Sequence, residues 1–165
     1  MNRPHSSMQL TRGADYAVRV MIQLATPPTD GRVSLPALAR ATGAPQSFLS
    51  KVLQALAHAG LISSRRGQAG GFRIAPRGRA ASMLAVIEAI DGDICLNLCV
   101  VPGRSCPRKA RCPAHPVWVR AQQAMLAVLS DTTIAAMAAQ ADPAKPNHPA
   151  SGARALHLPA KPARR

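Results

Sequence analysis

Apolar residues recur at helical spacing from the start of the chain. Between Leu10 and Ala25, Tyr16, Val20 and Leu24 fall on one side, with Ala17, Met21 and Ile22 beside them. This spacing predicts an amphipathic helix, and Pro27-Pro28 ends it. Ser34 is placed to N-cap a short helix holding Leu35, Leu38 and Ala39. Thr42-Gly43-Ala44 reads as a turn with Gly43 as the C-cap, and Pro45 opens the next helix as a first-turn proline. In that helix Leu49, Leu53 and Leu56, with Val52, make an apolar back. Ser47, Ser50, Lys51 and Gln54 share the opposite face. An apolar back for docking and a short-chain polar front for base edges is the arrangement a helix–turn–helix needs.

Beyond Gly60 the period changes from helical to alternating. Leu61–Arg66 reads as a strand, Gly67–Gly71 as a tight turn and Phe72–Ile74 as a returning strand. A hairpin directly after a helix–turn–helix is a wing, with Arg65 and Arg66 at its tip, where they can enter a minor groove. Residues 81–90 read as a helix ending at Asp91-Gly92. A cysteine-bearing loop runs to His115, and Pro116 starts a long helix to about Leu129 with apolar positions Val117, Ala121, Ala124, Met125 and Val128. Residues 132–139 predict a last short helix. The fold class is mainly α, a winged helix–turn–helix with a two-stranded β-wing and a long C-terminal helix. Its organisation is a disordered leader (1–7), a DNA-binding domain (8–80), a segment with the cysteine loop and C-terminal helices (81–140) and a disordered basic tail (141–165).

Composition narrows the partner. Of 165 residues 47% are hydrophobic but 2% aromatic, so a single modest core is built from Ala, Leu, Val, Ile and Met, which suits helices. Tyr16 and Trp118 are expected in that core rather than as stacking platforms. The net charge is +14, and residues 1–80 hold eleven Lys/Arg against Asp15 and Asp30. Residues 81–140 are nearly neutral, and the tail is basic again. A basic surface serving solubility alone would be spread more evenly; this one points to nucleic acid. The Gly67–Gly71 stretch lacks the following Lys-Ser/Thr and helix of a phosphate loop. No apolar run reaches membrane-spanning length and no secretory h-region is visible, so the chain is expected in the cytosol, without a membrane partner. In that compartment clustered cysteines are ligands or redox groups rather than structural disulfides.

All four cysteines, Cys95, Cys99, Cys106 and Cys112, lie within 18 residues, and His115 follows the last by three. Spacing alone leaves three chemistries open: a structural zinc, an iron–sulfur cluster, or reactive thiols. Only Cys95 and Cys99 are as close as a zinc knuckle requires. Asp15, taken by itself, is an early-helix carboxylate interacting with the helix dipole.

Taken together, Met8–Arg19, Val33–Ala39, Phe48–Leu56, Gly60–Phe72 and Cys106-x5-Cys112-x2-His115-x2-Trp118 resemble the Rrf family of bacterial winged-helix regulators, over about residues 8–140. The resemblance implies a non-enzymatic transcription factor, expected to be a repressor. It implies a homodimer crossed through the long C-terminal helix, binding a double-stranded DNA operator. It also implies an iron–sulfur cluster, 2Fe–2S ahead of 4Fe–4S, held by three cysteines and a fourth ligand that differs between branches. Cys99, Cys106 and Cys112 are the expected thiolates, with Cys95 as the substitute for Cys99. In IscR-like members the fourth ligand is the histidine matching His115, and in NsrR-like members a first-helix aspartate matching Asp15 of the partner subunit. Asp15 is expected ahead of His115, because a ligand from the first helix would couple the cluster directly to the DNA-binding unit. Cys99 and Cys106 are one residue further apart than the IscR pattern, and Ser50 replaces a glutamate there. On DNA, Gln46, Ser47 and Ser50 are expected at base edges, Arg12 and Lys51 at phosphates, and Arg65 and Arg66 on the wing. The competing readings are a DNA-binding protein with structural zinc and a cytosolic thiol redox protein.

Overall fold

The structure, a computed structural model, describes residues 10–28, 31–67, 70–104 and 106–141. The expected leader, the tail beyond Ala141 and the wing-turn residues Gln68 and Ala69 lie outside the described residues. Helix α1 (Arg12–Ala25) starts under Thr11, whose hydroxyl accepts from the Ala14 amide. Helix α2 (Leu35–Thr42) starts under Ser34 and ends at Gly43, whose φ of 69° is the left-handed C-cap that the turn requires. Helix α3 (Gln46–His58) follows. Pro45 stands at its N-cap rather than inside its first turn, and it offers no side-chain capping bond.

The wing is β1 (Ile62–Arg65) antiparallel to β2 (Gly71–Ile74), with Ile62 opposite Ile74 and Arg65 opposite Gly71. A bridge between Val33 and Phe72, which periodicity did not indicate, adds the approach to α2 as a third line of pairing. A five-residue helix α4 (Pro76–Ala80) was also not foreseen. Its Gly78 lies against the Leu61 carbonyl so closely that a Cβ could not be accommodated. Helix α5 (Met83–Asp91) and helix α7 (Ile134–Gln140) begin side by side. The Met83 amide donates to the Thr132 carbonyl at 2.8 Å, and the Ile134 amide to the Ala81 carbonyl at 2.9 Å.

The core is one apolar cluster. Ala14, Ala17, Val20 and Met21 of α1 meet Leu38 of α2, Leu49, Leu53 and Leu56 of α3, Val86 and Ile87 of α5, and Ile134 of α7. Helix α1 packs against both α5 and α7, so residues on both sides of position 80 fill the same interior. Tyr16 packs at its margin, edge-on to Phe48 with ring centroids 5.8 Å apart.

The long helix α6 (His115–Asp131) behaves differently. Its one buried residue is Gln122, while Val117 and Val128 are 62% and 66% exposed. Among the described residues, nothing buries Val117 or Val128 of its apolar stripe.

Candidate nucleic-acid interface and cysteine loop

The helix–turn–helix is held by its apolar back, and that packing sets what α3 displays. Leu49, Leu53 and Leu56 are fully buried and Val52 nearly so. On the other side Gln46, Ser47, Lys51 and Gln54 are exposed, and Ser50 is half-buried at the edge of this face. Arg12 is exposed at the first residue of α1, and Arg65 and Arg66 are exposed at the far end of the wing. Thus the sequence-expected DNA contacts lie on α3, on the start of α1 and on the wing, each outside the core.

Asp15 is spoken for locally. Its carboxylate accepts from Arg19 Nε at 3.2 Å and pairs with the same guanidinium at 2.9 Å, on an exposed face. Arg19 in turn lies over the Tyr16 ring, 5.9 Å from its centroid.

Between α5 and α6 the described residues form 3-10 turns at Leu98–Val100 and Lys109–Arg111 and otherwise little regular structure. All four cysteines are free and half-buried here. The loop is charged asymmetrically, with Asp91 and Asp93 at its entrance and Arg104, Arg108, Lys109 and Arg111 exposed further along. Burial, and secondarily the charge of Asp93, pushes the Cys95 thiol above its ordinary pKa. The same two causes, in the same order, raise Glu88.

Two polar ties fix the loop's entrance. Gln122 of α6 donates from Nε2 to the Ile94 carbonyl at 2.6 Å, and its Oε1 accepts from the Leu96 amide at 2.8 Å. One side-chain amide thereby pairs with the backbone on both sides of Cys95. Asp91, the last residue of α5, accepts from the Thr11 hydroxyl at 2.6 Å and from the Thr11 amide at 3.1 Å. The residue that caps α1 is therefore also bonded to the residue that opens the cysteine loop. Sequence reading missed both ties. A glutamine in an apolar stripe carries no local signal, and Thr11 and Asp91 lie far apart in the chain.

Does this loop suit an iron–sulfur cluster? Its donors do: soft thiols free of disulfides and half-buried. His115 adds an imidazole whose Nδ1 is buried with no hydrogen-bond partner among the described residues. An unpaired buried nitrogen is costly unless something occupies it. The positions of the donors are less complete, since among the described residues no three His, Cys, Asp or Glu side chains gather as a metal site.

Comparison with known proteins agrees with the winged-helix geometry. The family model described as "Rrf2: Iron-dependent Transcriptional regulator" matches residues 10–140. An HTH-type transcriptional regulator of Mycobacterium tuberculosis is 36% identical over 140 residues, covering 82% of this chain and 84% of the relative. The HTH-type transcriptional regulator IscR of Yersinia pestis is 30% identical over 129 residues, covering 78% and 77%. Among solved structures, CymR of B. subtilis, a global cysteine regulator, superposes with a TM-score of 0.66 at 26% identity. That match covers 82% of this chain and 99% of CymR. With the family match spanning the whole helix–turn–helix, wing, cysteine loop and α6, this chain belongs to the Rrf2 family of winged-helix transcriptional regulators.

Proposed function

We propose that this regulator is a cytosolic homodimeric repressor that carries an iron–sulfur cluster, 2Fe–2S in form, on the loop between α5 and α6. Cys99, Cys106, Cys112 and His115 would hold it. The observation that carries the reading is the donor set: free, half-buried thiols beside an imidazole whose Nδ1 is buried and unpartnered. His115 is taken over Asp15 because its Nδ1 is buried and unpartnered among the described residues, whereas the Asp15 carboxylate is paired with Arg19. The likeness to IscR supports the same choice. Support for the dimer is the apolar stripe of α6, where Val117 and Val128 are buried by none of the described residues.

When bound, such a cluster supplies a redox couple whose potential depends on hydrogen bonding and solvent exposure. The chain's own residues would connect the loop to DNA. Gln122 fixes the loop's entrance to α6, and Asp91 joins it to the N-terminus of α1. A loop that exists in two arrangements would thus bias the placement of α1 and the neighbouring recognition helix α3, an equilibrium set by the relative stability of the two states. At the operator, Gln46, Ser47 and Ser50 would read base edges, Arg12 and Lys51 would hold phosphates, and Arg65 and Arg66 would reach the minor groove.

Anaerobic purification with iron, sulfide and zinc analysis, alongside visible absorption, tests the cofactor. Coloured protein with matching iron and sulfide is expected. Colourless protein, with or without zinc, rejects the cluster. His115→Ala should strip or shift the absorption while Asp15→Ala leaves it unchanged; the reverse pattern returns the fourth ligand to Asp15.

A further inference from the structure

The geometry points to Arg32 as the residue that positions the wing, acting through backbone carbonyls rather than by touching DNA. This rests on the reading of the wing as a DNA-binding element. Arg32 belongs to the basic first half of the chain, where each cation is a candidate phosphate contact by charge alone. Its side chain is committed elsewhere. Nη1 donates to the Gly71 carbonyl at 3.1 Å and approaches the Ser63 carbonyl at 3.4 Å. These acceptors lie on different strands, Ser63 on β1 and Gly71 on β2. The guanidinium therefore clips the hairpin across its width.

The backbone beside it completes the mounting. The Val33 amide donates to the Phe72 carbonyl at 2.8 Å and the Phe72 amide to the Val33 carbonyl at 2.9 Å. Gly71 makes this approach possible. Its φ is +136°, and a Cβ there would stand 2.8 Å from the Val33 carbonyl oxygen and 3.3 Å from Arg32 Cβ. Arg32 precedes Ser34, the cap of α2, by two residues. The wing is thus fastened to the entrance of the helix–turn–helix. Both bonds come from Nη1, whose two hydrogens the planar guanidinium holds in fixed directions, whereas a lysine ammonium rotates freely on its flexible stem.

The experiment compares full-length wild type, Arg32→Ala, Arg32→Lys and Lys51→Ala. The probe is a duplex enriched by the wild-type protein from a randomised library, with affinity measured across a salt series. Amide hydrogen exchange at Val33 and Phe72 is measured without DNA. Arg32→Ala is expected to weaken binding about tenfold and to speed exchange at both amides about tenfold, the scale of losing such hydrogen bonds. Its salt slope should match wild type. Arg32→Lys should follow Arg32→Ala, while Lys51→Ala flattens the slope by about one unit, as for a lost phosphate contact. A flattened slope for Arg32→Ala, near-wild-type affinity for Arg32→Lys, or unchanged exchange at Val33 and Phe72 each overturns the assignment. If no duplex is enriched, the DNA-binding reading fails by itself, and the exchange rates still decide whether Arg32 anchors the hairpin.

Discussion

The helix–turn–helix and the cysteine loop are built on opposite terms. In the former, Leu38, Leu49, Leu53 and Leu56 have no exposed surface, so the spacing of α2 and α3 is fixed by apolar packing that tolerates little rearrangement. In the loop, none of the described residues between 92 and 114 is fully buried. What orders its entrance is the polar tie to Gln122 and the bond from Asp91 to Thr11. A region with few buried contacts opens at lower free energy than the core it is attached to. The DNA-reading surface is therefore held by packing, whereas the loop is held at its entrance by a few polar bonds.

The most severe test of that contrast removes the loop's donors. Cys106→Ala and Cys112→Ala should each abolish iron and sulfide content on anaerobic purification, leaving far-UV circular dichroism at the wild-type level. Cys95→Ala should keep the cofactor. Loss of helix content in the first two variants would mean that the loop supports the core after all. Next in size is the core itself. Leu53→Ala should cost about 2–5 kcal/mol in denaturant unfolding, while Leu98→Ala, at a site 54% exposed in the loop, should stay within about 0.5 kcal/mol. Comparable losses at the two sites would erase the distinction.

Smaller effects sharpen it. Ser47→Ala should reduce preference for the enriched duplex over random DNA by about 1–3 kcal/mol, the scale of one base contact; equal losses on both DNAs would remove Ser47 from the reading face. Gln122→Leu, which keeps bulk and removes the amide, should cost about 1–3 kcal/mol of local stability because the Ile94 and Leu96 backbone groups lose their partner. Amide exchange at Leu96 reads this directly, and global unfolding should move less than exchange does.

What the sequence revealed follows the same division. The apolar period of α1 and α3, the hydroxyl caps at Ser34 and the left-handed Gly43 are local features, and each predicted its element to within a few residues. Helix α4 escaped because Pro76-Arg77-Gly78-Arg79 has no apolar period and contains a helix-weakening glycine. That glycine is there because the helix lies against the Leu61 carbonyl, a tertiary fact. Helix α6 was legible as a helix, but Val117 and Val128 of its apolar stripe face solvent, Leu129 only partly meets the core, and its buried residue is a glutamine. The wing was read correctly as a hairpin, but the Val33 bridge and the hold of Arg32 on it depend on a segment about forty residues away from Phe72. For the candidate site, the cysteines and His115 announce a chemistry by type and clustering. Which of them converge is decided by a loop whose backbone has no repeating pattern to read.

The burial of α1 between α5 and α7 also bears on how the protein is made. A ribosome delivers α1 first, and by the time the wing has emerged Val20 and Met21 have met only part of their eventual neighbours. Val86, Ile87 and Ile134 arrive later, so the last layer of the interior closes only when the C-terminal helix is out. Contacts of such long sequence separation are slow to form and leave apolar surface open in the interval. A chain ending after the wing would therefore leave the apolar side of α1 that faces Val86, Ile87 and Ile134 uncovered.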